Sequence, residues 1–88
     1  MNLALHLAAD ALADLRRLDV ELQEEVFDEL ERLSAKPDLI PPPLPQSGIV
    51  HTFACETAGG LHVIAITLER RDGGTRLAML GVRLLAGA

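Results

Sequence analysis

One short segment divides this 88-residue chain into two halves with different hydrophobic periodicity. Residues 37–48 contain all five prolines, and proline neither continues a helix nor donates to the ladder of a central strand. Apolar residues recur with the period of a helix before this segment and with the period of a strand after it. The predicted helices span residues 8–18 and 20–36, and the predicted strands span residues 49–56, 61–69 and 75–85. This order predicts one α+β domain over residues 1–88, with an N-terminal two-helix hairpin packed on a small antiparallel sheet, a three-stranded meander.

The helical half carries clear boundary signals. Leu22, Val26, Leu30 and Leu33 recur at helical spacing, so we expect them to be buried against the sheet. Asp19 lies where the N-cap of the second helix belongs, because its carboxylate can accept from the free amides of the first turn. One or two residues separate the helices, which predicts an antiparallel hairpin. Residues 2–6 alternate too briefly to decide between a short first strand and the start of the first helix.

Charge, hydropathy and cysteine content exclude several classes of protein. Residues 1–38 carry ten acidic and four basic side chains, for a net charge of −6, and residues 39–88 carry a net charge of +1. Nucleic-acid binding usually needs a basic excess, so the acidic residues are interpreted as the solvated face of the helices. No run of about 18 apolar residues and no basic stretch before an apolar run is present, which predicts neither a membrane span nor a signal peptide. Cys55 is the single cysteine and is compatible with a reducing, cytoplasmic location.

Glycine-rich turns suggest how the strands pair. A turn at residues 57–60 places Cys55 opposite His62. A two-residue turn at Gly73-Gly74 would then place Ile64 opposite Arg83, on the same face as His62.

Both faces of the predicted sheet are apolar, and one helical layer can cover only one of them. The other face is therefore predicted to meet a partner, either a second copy in a dimer or a different protein. The predicted partner-binding face carries Phe53, Ile64, Ile66, Leu68 and Met79.

In the order of its elements the sequence resembles the RelE/ParE toxin superfamily of bacterial type II toxin–antitoxin systems. The members have a strand, a two-helix hairpin and a proline-containing loop around a leucine, here Pro43-Leu44-Pro45, and then a three-stranded meander. Their middle meander strand reads small residue, Gly, aromatic, Arg and alternating aliphatics, which Gly59-Gly60-Leu61-His62-Val63-Ile64-Ala65-Ile66 matches in part. Their last strand ends in aliphatics, a small residue and a basic residue, as in Ala78-Met79-Leu80-Gly81-Val82-Arg83.

The resemblance implies either ribosome-dependent cleavage of messenger RNA or, in another branch, poisoning of gyrase. The basic residues of the RNA-cleaving branch correspond to His62 and Arg83, the candidate catalytic pair. The lysines expected on the first meander strand and the C-terminal helix with its frequent tyrosine have no counterpart in the 88 residues. Because charge-stabilising groups dominate such catalysis, we expect weak or absent cleavage.

Other chemistry has weaker support in the sequence. Cys55 facing His62 would form a thiolate–imidazole pair, but no third orienting residue accompanies them. His51, His62 and Cys55 lack the short spacing of metal ligands, so neither a metal nor a cofactor is predicted.

The only basic cluster consists of Arg70, Arg71 and Arg76, which is either a phosphate contact or a solvated turn. A PxxP pattern, Pro42 to Pro45, is either a ligand for an aromatic groove or a stiff connection.

Three functions are compatible with the sequence. The first is a toxin or toxin-like component that binds a cognate antitoxin-like protein, or itself, through an apolar sheet face. The second is a messenger-RNA endonuclease that uses His62 and Arg83 on the ribosome. The third is a non-toxic regulatory domain.

Overall fold

The structure, a computed structural model, describes residues 3–86, and residues 1, 2, 87 and 88 lie outside it. Its elements are β1 (Ala4–Leu7), α1 (Ala9–Arg16), α2 (Val20–Ala35), a 3-10 turn (Pro37–Leu39), β2 (His51–Thr57), β3 (Gly60–Arg71) and β4 (Gly74–Ala86). The strand order is β1-β4-β3-β2. The α+β class is confirmed. The sheet is mixed, however, because β1 runs parallel to β4 while the meander is antiparallel.

The helical hairpin forms where local signals place it. Asp19 caps α2, since its Oδ1 accepts from the Leu22 N–H at 2.9 Å. The Gln23 side chain donates to the Leu18 carbonyl at 2.8 Å and so ties α2 to the end of the preceding turn. Lys36 is the C-cap of α2, and Pro37 after it begins the 3-10 turn. None of the helices described is long and apolar enough to cross a membrane.

The core lies between the helices and one face of the sheet. The apolar stripe of α2 predicted from its spacing is fully buried, as are Ala11 and Leu15 of α1. These side chains cover Cys55, Ile64, Ile66, Leu77 and Met79.

The prediction of which residues form the partner-binding face is therefore wrong. Ile64, Ile66 and Met79 are 0%, 0% and 1% exposed, because the helices pack directly on them. Phe53 is half-buried against the same core, and only Leu68 of the predicted set is exposed.

The first hairpin has the predicted register, with Cys55 opposite His62 and Phe53 opposite Ile64. The second hairpin does not. Its turn is Asp72-Gly73, where both residues have positive φ angles, of 49° and 79°, as a type I′ turn requires.

This turn gives β3 and β4 a pairing different from the predicted one. A later irregularity changes the sheet face on which the side chains of β4 lie. Leu68 pairs with Leu77 and Ile66 with Met79, but Ala65 pairs with Gly81, so Leu80 is an extra residue on β4. A bulge of this kind reverses the faces of the residues that follow it. Arg83 consequently lies opposite Val63 and not opposite Ile64.

Candidate functional site

The sheet face away from the helices is not covered by either helix of the described structure. We call it the open face; alternation along the strands assigns to it Thr52, Ala54, Val63, Ala65, Thr67, Arg76, Ala78 and Arg83. It contains a groove of about 560 Å³, the open-face groove. Its lining includes apolar side chains of Leu44, Val50, Val63, Ala65, Leu80, Val82 and Leu85, together with Thr52, Asp14 and Arg83.

The proline-rich loop supplies one wall of this groove. The Leu44 N–H donates to the Val50 carbonyl at 2.7 Å, and the Gly48 N–H donates back to the Leu44 carbonyl at 2.8 Å. Gly48 has a φ of 72°, a conformation that favours glycine, and this lets the chain reverse there. The Ser47 hydroxyl accepts from the Val50 N–H at 2.9 Å. These bonds hold Leu44 beside the sheet.

Helix α1 supplies the acidic group at the other side. Asp14 lines the groove close to the bulge in β4. A Cβ at Gly81 would lie 3.3 Å from the Asp14 Oδ2, so glycine permits this close approach. The Asp14 carboxylate has a long ion pair with Arg17 at 3.7 Å.

Arg83 is the unpaired basic group of the groove. Its side chain is exposed, and it takes part in no ion pair among the residues that the structure describes. A guanidinium surrounded by apolar side chains is suited to bind a carboxylate or a phosphate through two parallel hydrogen bonds.

His62 does not join Arg83. It lies opposite Leu84 on the covered face and is 8% exposed. Its Nδ1 is buried without a hydrogen-bond partner among the described residues. The predicted catalytic pair is thus divided between the two faces of the sheet, and neither side chain can assist the other on one substrate.

Cys55 lies opposite His62 as predicted, but inside the core. Burial raises the pKa of the Cys55 thiol, and the carboxylates of Glu25 and Glu29 raise it further. Both effects keep the sulfur protonated at neutral pH, which is the reverse of what a nucleophilic thiolate needs. No three potential metal-ligating side chains come together among residues 3–86, and the His51 Nδ1 lies 2.6 Å from the Pro41 carbonyl oxygen.

The predicted basic cluster is divided by a carboxylate. Glu69 accepts from the Arg76 Nε at 3.2 Å and lies 3.7 Å from Arg71. Arg70 is exposed and occupies the alternate face of β3. The three arginines therefore do not form a single phosphate-binding surface.

Sequence reasoning missed three features of the open face. His6 lies beside Ala78 through the parallel pairing of β1 with β4, which four residues of sequence do not reveal. Asp14 and Leu44 come from outside the sheet. One signal could have identified the open face: Thr52 and Thr67 share it, whereas the covered face of the same strands is more apolar.

Among the comparisons with known proteins, the one with solved structures supports the fold. No protein-family model and no curated protein sequence matches the chain. Among solved structures, the chain is similar to that of the E. coli toxin RelE, determined as an arginine-to-alanine double mutant in the free state. The TM-score is 0.77 at 14% sequence identity, over 96% of this chain and 84% of that chain. The chain has a RelE-like fold. At this identity the similarity concerns the fold alone, so the activity has to be inferred from the residues of the RelE-like sheet.

Proposed function

We propose that this chain is the toxin or toxin-like component of a two-protein toxin–antitoxin module, and that it acts chiefly by binding another protein through the open face. The RelE-like fold supports the class of module. The observation that supports this mode of action is the open-face groove, several of whose apolar side chains are left exposed by the residues that the structure describes. Leu80 and Leu85 are 47% and 61% exposed. Exposed apolar surface of this kind, rimmed by polar groups, is typical of a protein interface.

The groove favours a partner with a defined chemistry. Its apolar walls accept aliphatic or aromatic side chains, and burying these would provide most of the binding energy. Arg83 would take a carboxylate of the partner as a bidentate pair. A cognate antitoxin-like protein that presents apolar residues around an acidic one meets both requirements.

The separation of the candidate catalytic groups supports binding over RNA cleavage. Cleavage requires groups that activate the 2′-hydroxyl, stabilise the pentavalent phosphate and protonate the leaving oxygen. The open face offers Arg83 for the second role, while His62 lies beneath the helices. The chain also has a net charge of −5, which disfavours retention of an RNA backbone.

Binding is tested by titrating the chain with the purified product of the adjacent reading frame. We expect Arg83→Ala and Leu80→Ser each to weaken binding by about tenfold or more, since each removes a central contact of the groove. Leu68→Ser is a matched control, because Leu68 is similarly exposed but lies on the other face. Equal losses in Leu68→Ser and Leu80→Ser would contradict binding through the open face.

Cleavage is tested separately by expression in a bacterial host and mapping of messenger-RNA ends. We expect growth arrest without codon-positioned ends, relieved by co-expression of the partner. Codon-positioned ends that disappear in both His62→Ala and Arg83→Ala would establish the endonuclease instead. Unimpaired growth together with partner binding would assign a non-toxic regulatory role.

A further inference from the structure

Strand β2 is the outermost strand of the sheet and is paired on one side only. Thr57 and Gly60 close a two-residue turn, and such a closing pair exchanges its backbone hydrogen bonds. Because bonded and non-bonded pairs alternate along an antiparallel ladder, the odd-numbered residues of β2 bond to β3. The N–H and C=O groups of Thr52, Ala54 and Glu56 consequently point away from the sheet.

The chain itself uses this edge at one position. The Val50 carbonyl belongs to the same outward series and accepts from the Leu44 N–H. Among the described residues, no backbone hydrogen bond joins residues 52–56 to any segment other than β3. The edge is thus open immediately beyond the point where the proline-rich loop leaves it.

Strand β2 also has few of the features that usually protect an edge, Glu56 being its one acidic or basic side chain apart from His51. It contains no proline, no lysine and no bulge in its pairing with β3. Ala54, at the centre of the outward series, is exposed and too small to block an approaching chain. The edge is therefore accessible to an added strand.

Helix α2 flanks this edge with carboxylates. Its N-terminus lies beside the β2–β3 turn, since a Cβ at Gly59 would be 3.1 Å from the Asp19 Oδ2. Helix α2 packs directly on β2, where its Val26 and Leu30 share the core with Cys55. Glu25 and Glu29 precede these two buried residues in sequence, and their carboxylates act on the Cys55 thiol. The helix therefore places these two carboxylates on the side of β2.

Little positive charge balances these groups. Arg32 is ion-paired with Glu29, while Glu25 has no ion pair among the described residues. Helical spacing places Glu21, four residues before Glu25, on the same side of α2.

We propose that the β2 edge, together with the acidic side of α2, binds an extended basic segment of a partner protein as an additional strand. The outward backbone groups would pair with the main chain of the segment. Its lysine or arginine side chains on the helix side of the strand would lie against the carboxylates of α2. A second copy of the chain is disfavoured, because pairing two β2 edges would bring two acidic helices together. This surface is separate from the open-face groove and does not depend on the proposed function.

The first test uses the full chain and synthetic probes. The probe is a fluorescein-labelled heptapeptide of alternating valine and lysine, and its binding is followed by fluorescence anisotropy. Two comparison peptides replace lysine by glutamate or carry N-methyl groups on the amides of one edge. We expect saturable binding of the lysine peptide and binding about tenfold weaker or worse for both comparisons, since one removes charge complementarity and the other main-chain pairing. Equal binding of the glutamate peptide or of the N-methylated peptide would overturn the proposal.

Variants of the chain locate the site. Ala54→Pro removes an outward N–H while leaving the β3 ladder intact, and edge strands tolerate proline. We expect it to abolish binding of the lysine peptide. If this variant does not fold, hydrogen exchange of the backbone amides in the unsubstituted chain locates the site. The Ala54 and Glu56 amides must then become protected when the peptide is added, and unchanged exchange would overturn the proposal.

The charge requirement has a matched control on the same helix. Glu29→Gln should weaken binding about threefold, whereas Glu31→Gln, on the opposite side of α2 from Glu29, should change it less than about 1.5-fold. Equal effects of the two substitutions would contradict a docked basic segment. Sedimentation of the free chain gives a further outcome: a dimer that Ala54→Pro converts to monomer would show that a second copy occupies the edge.

Discussion

Removing three side-chain carbon atoms should lower the free energy of unfolding more on the covered face of the sheet than on the open face. We compare Ile64→Ala on the covered face of β3 with Leu80→Ala beside the groove on β4. Ile64 is fully buried, and Leu80 is 47% exposed. At about 0.8 kcal/mol per buried carbon, the transfer term for Ile64 is about 2.4 kcal/mol, and an unfilled cavity brings the expected loss to about 3–5 kcal/mol. For Leu80 about half of that transfer term applies and no cavity forms, so we expect a loss of about 1.2 kcal/mol or less.

These losses are large compared with the stability of a domain of this size. A chain of this length has a free energy of unfolding of about 4–13 kcal/mol. Ile64→Ala should therefore remove a quarter or more of it and lower Tm by more than about 10 °C. The chain contains neither Trp nor Tyr, so urea unfolding should be followed by far-ultraviolet circular dichroism of the helices.

Two results would refute the assignment of the faces. A loss below about 0.5 kcal/mol for Ile64→Ala would show that the helices do not pack on Ile64. A Leu80→Ala loss equal to that of Ile64→Ala would show that the groove is covered in the free chain. In that case the open face would not be available to a partner.

The helical half and the first hairpin could be predicted because their signals are local. Asp19 caps the helix that begins next to it, and the stripe of α2 is set by spacing within one element. The turn at Ala58-Gly59 fixes the pairing of Cys55 with His62 within a few residues. None of these features depends on a distant part of the chain.

The bulge at Leu80 could not be predicted, and it decides the chemistry of the sheet. Apolar residues occupy both faces of β4, so a shift by one residue brings no penalty that the hydrophobic pattern would reveal. The extra residue moves Arg83 from the predicted side of His62 to the open face. This single extra residue on β4 therefore places the side chains of His62 and Arg83 on opposite faces of the sheet.

The first strand and the covered face depend on long-range pairing. β1 joins the sheet parallel to β4, about seventy residues later, and no local turn signals this contact. The sequence identified two apolar faces but not which of them the helices cover. Thr52, Thr67 and Glu56 mark the more polar face, and comparing composition across neighbouring strands would have favoured it as the open one.

Three further experiments test the core, the cap and the buried thiol. Leu30→Ala should lower the free energy of unfolding in urea by about 2–5 kcal/mol, because Leu30 of α2 is fully buried against the sheet. Asp19→Ala should cost about 1 kcal/mol through loss of the α2 cap, and Asp19→Asn should retain most of it. The last experiment follows the free energy of unfolding against pH. Burial, with Glu25 and Glu29, raises the pKa of the Cys55 thiol above its ordinary value of 9.0. The unfolded chain therefore loses this proton first as pH rises. The contribution of the protonated Cys55 thiol to the free energy of unfolding is complete below about pH 8. It declines above about pH 9, with a slope approaching about 1.4 kcal/mol per pH unit. Cys55→Ala should start from a lower stability but lack this decline. Parallel curves for the two proteins between about pH 8 and about pH 10.5 would show that the sulfur does not titrate differently in the folded and unfolded chains.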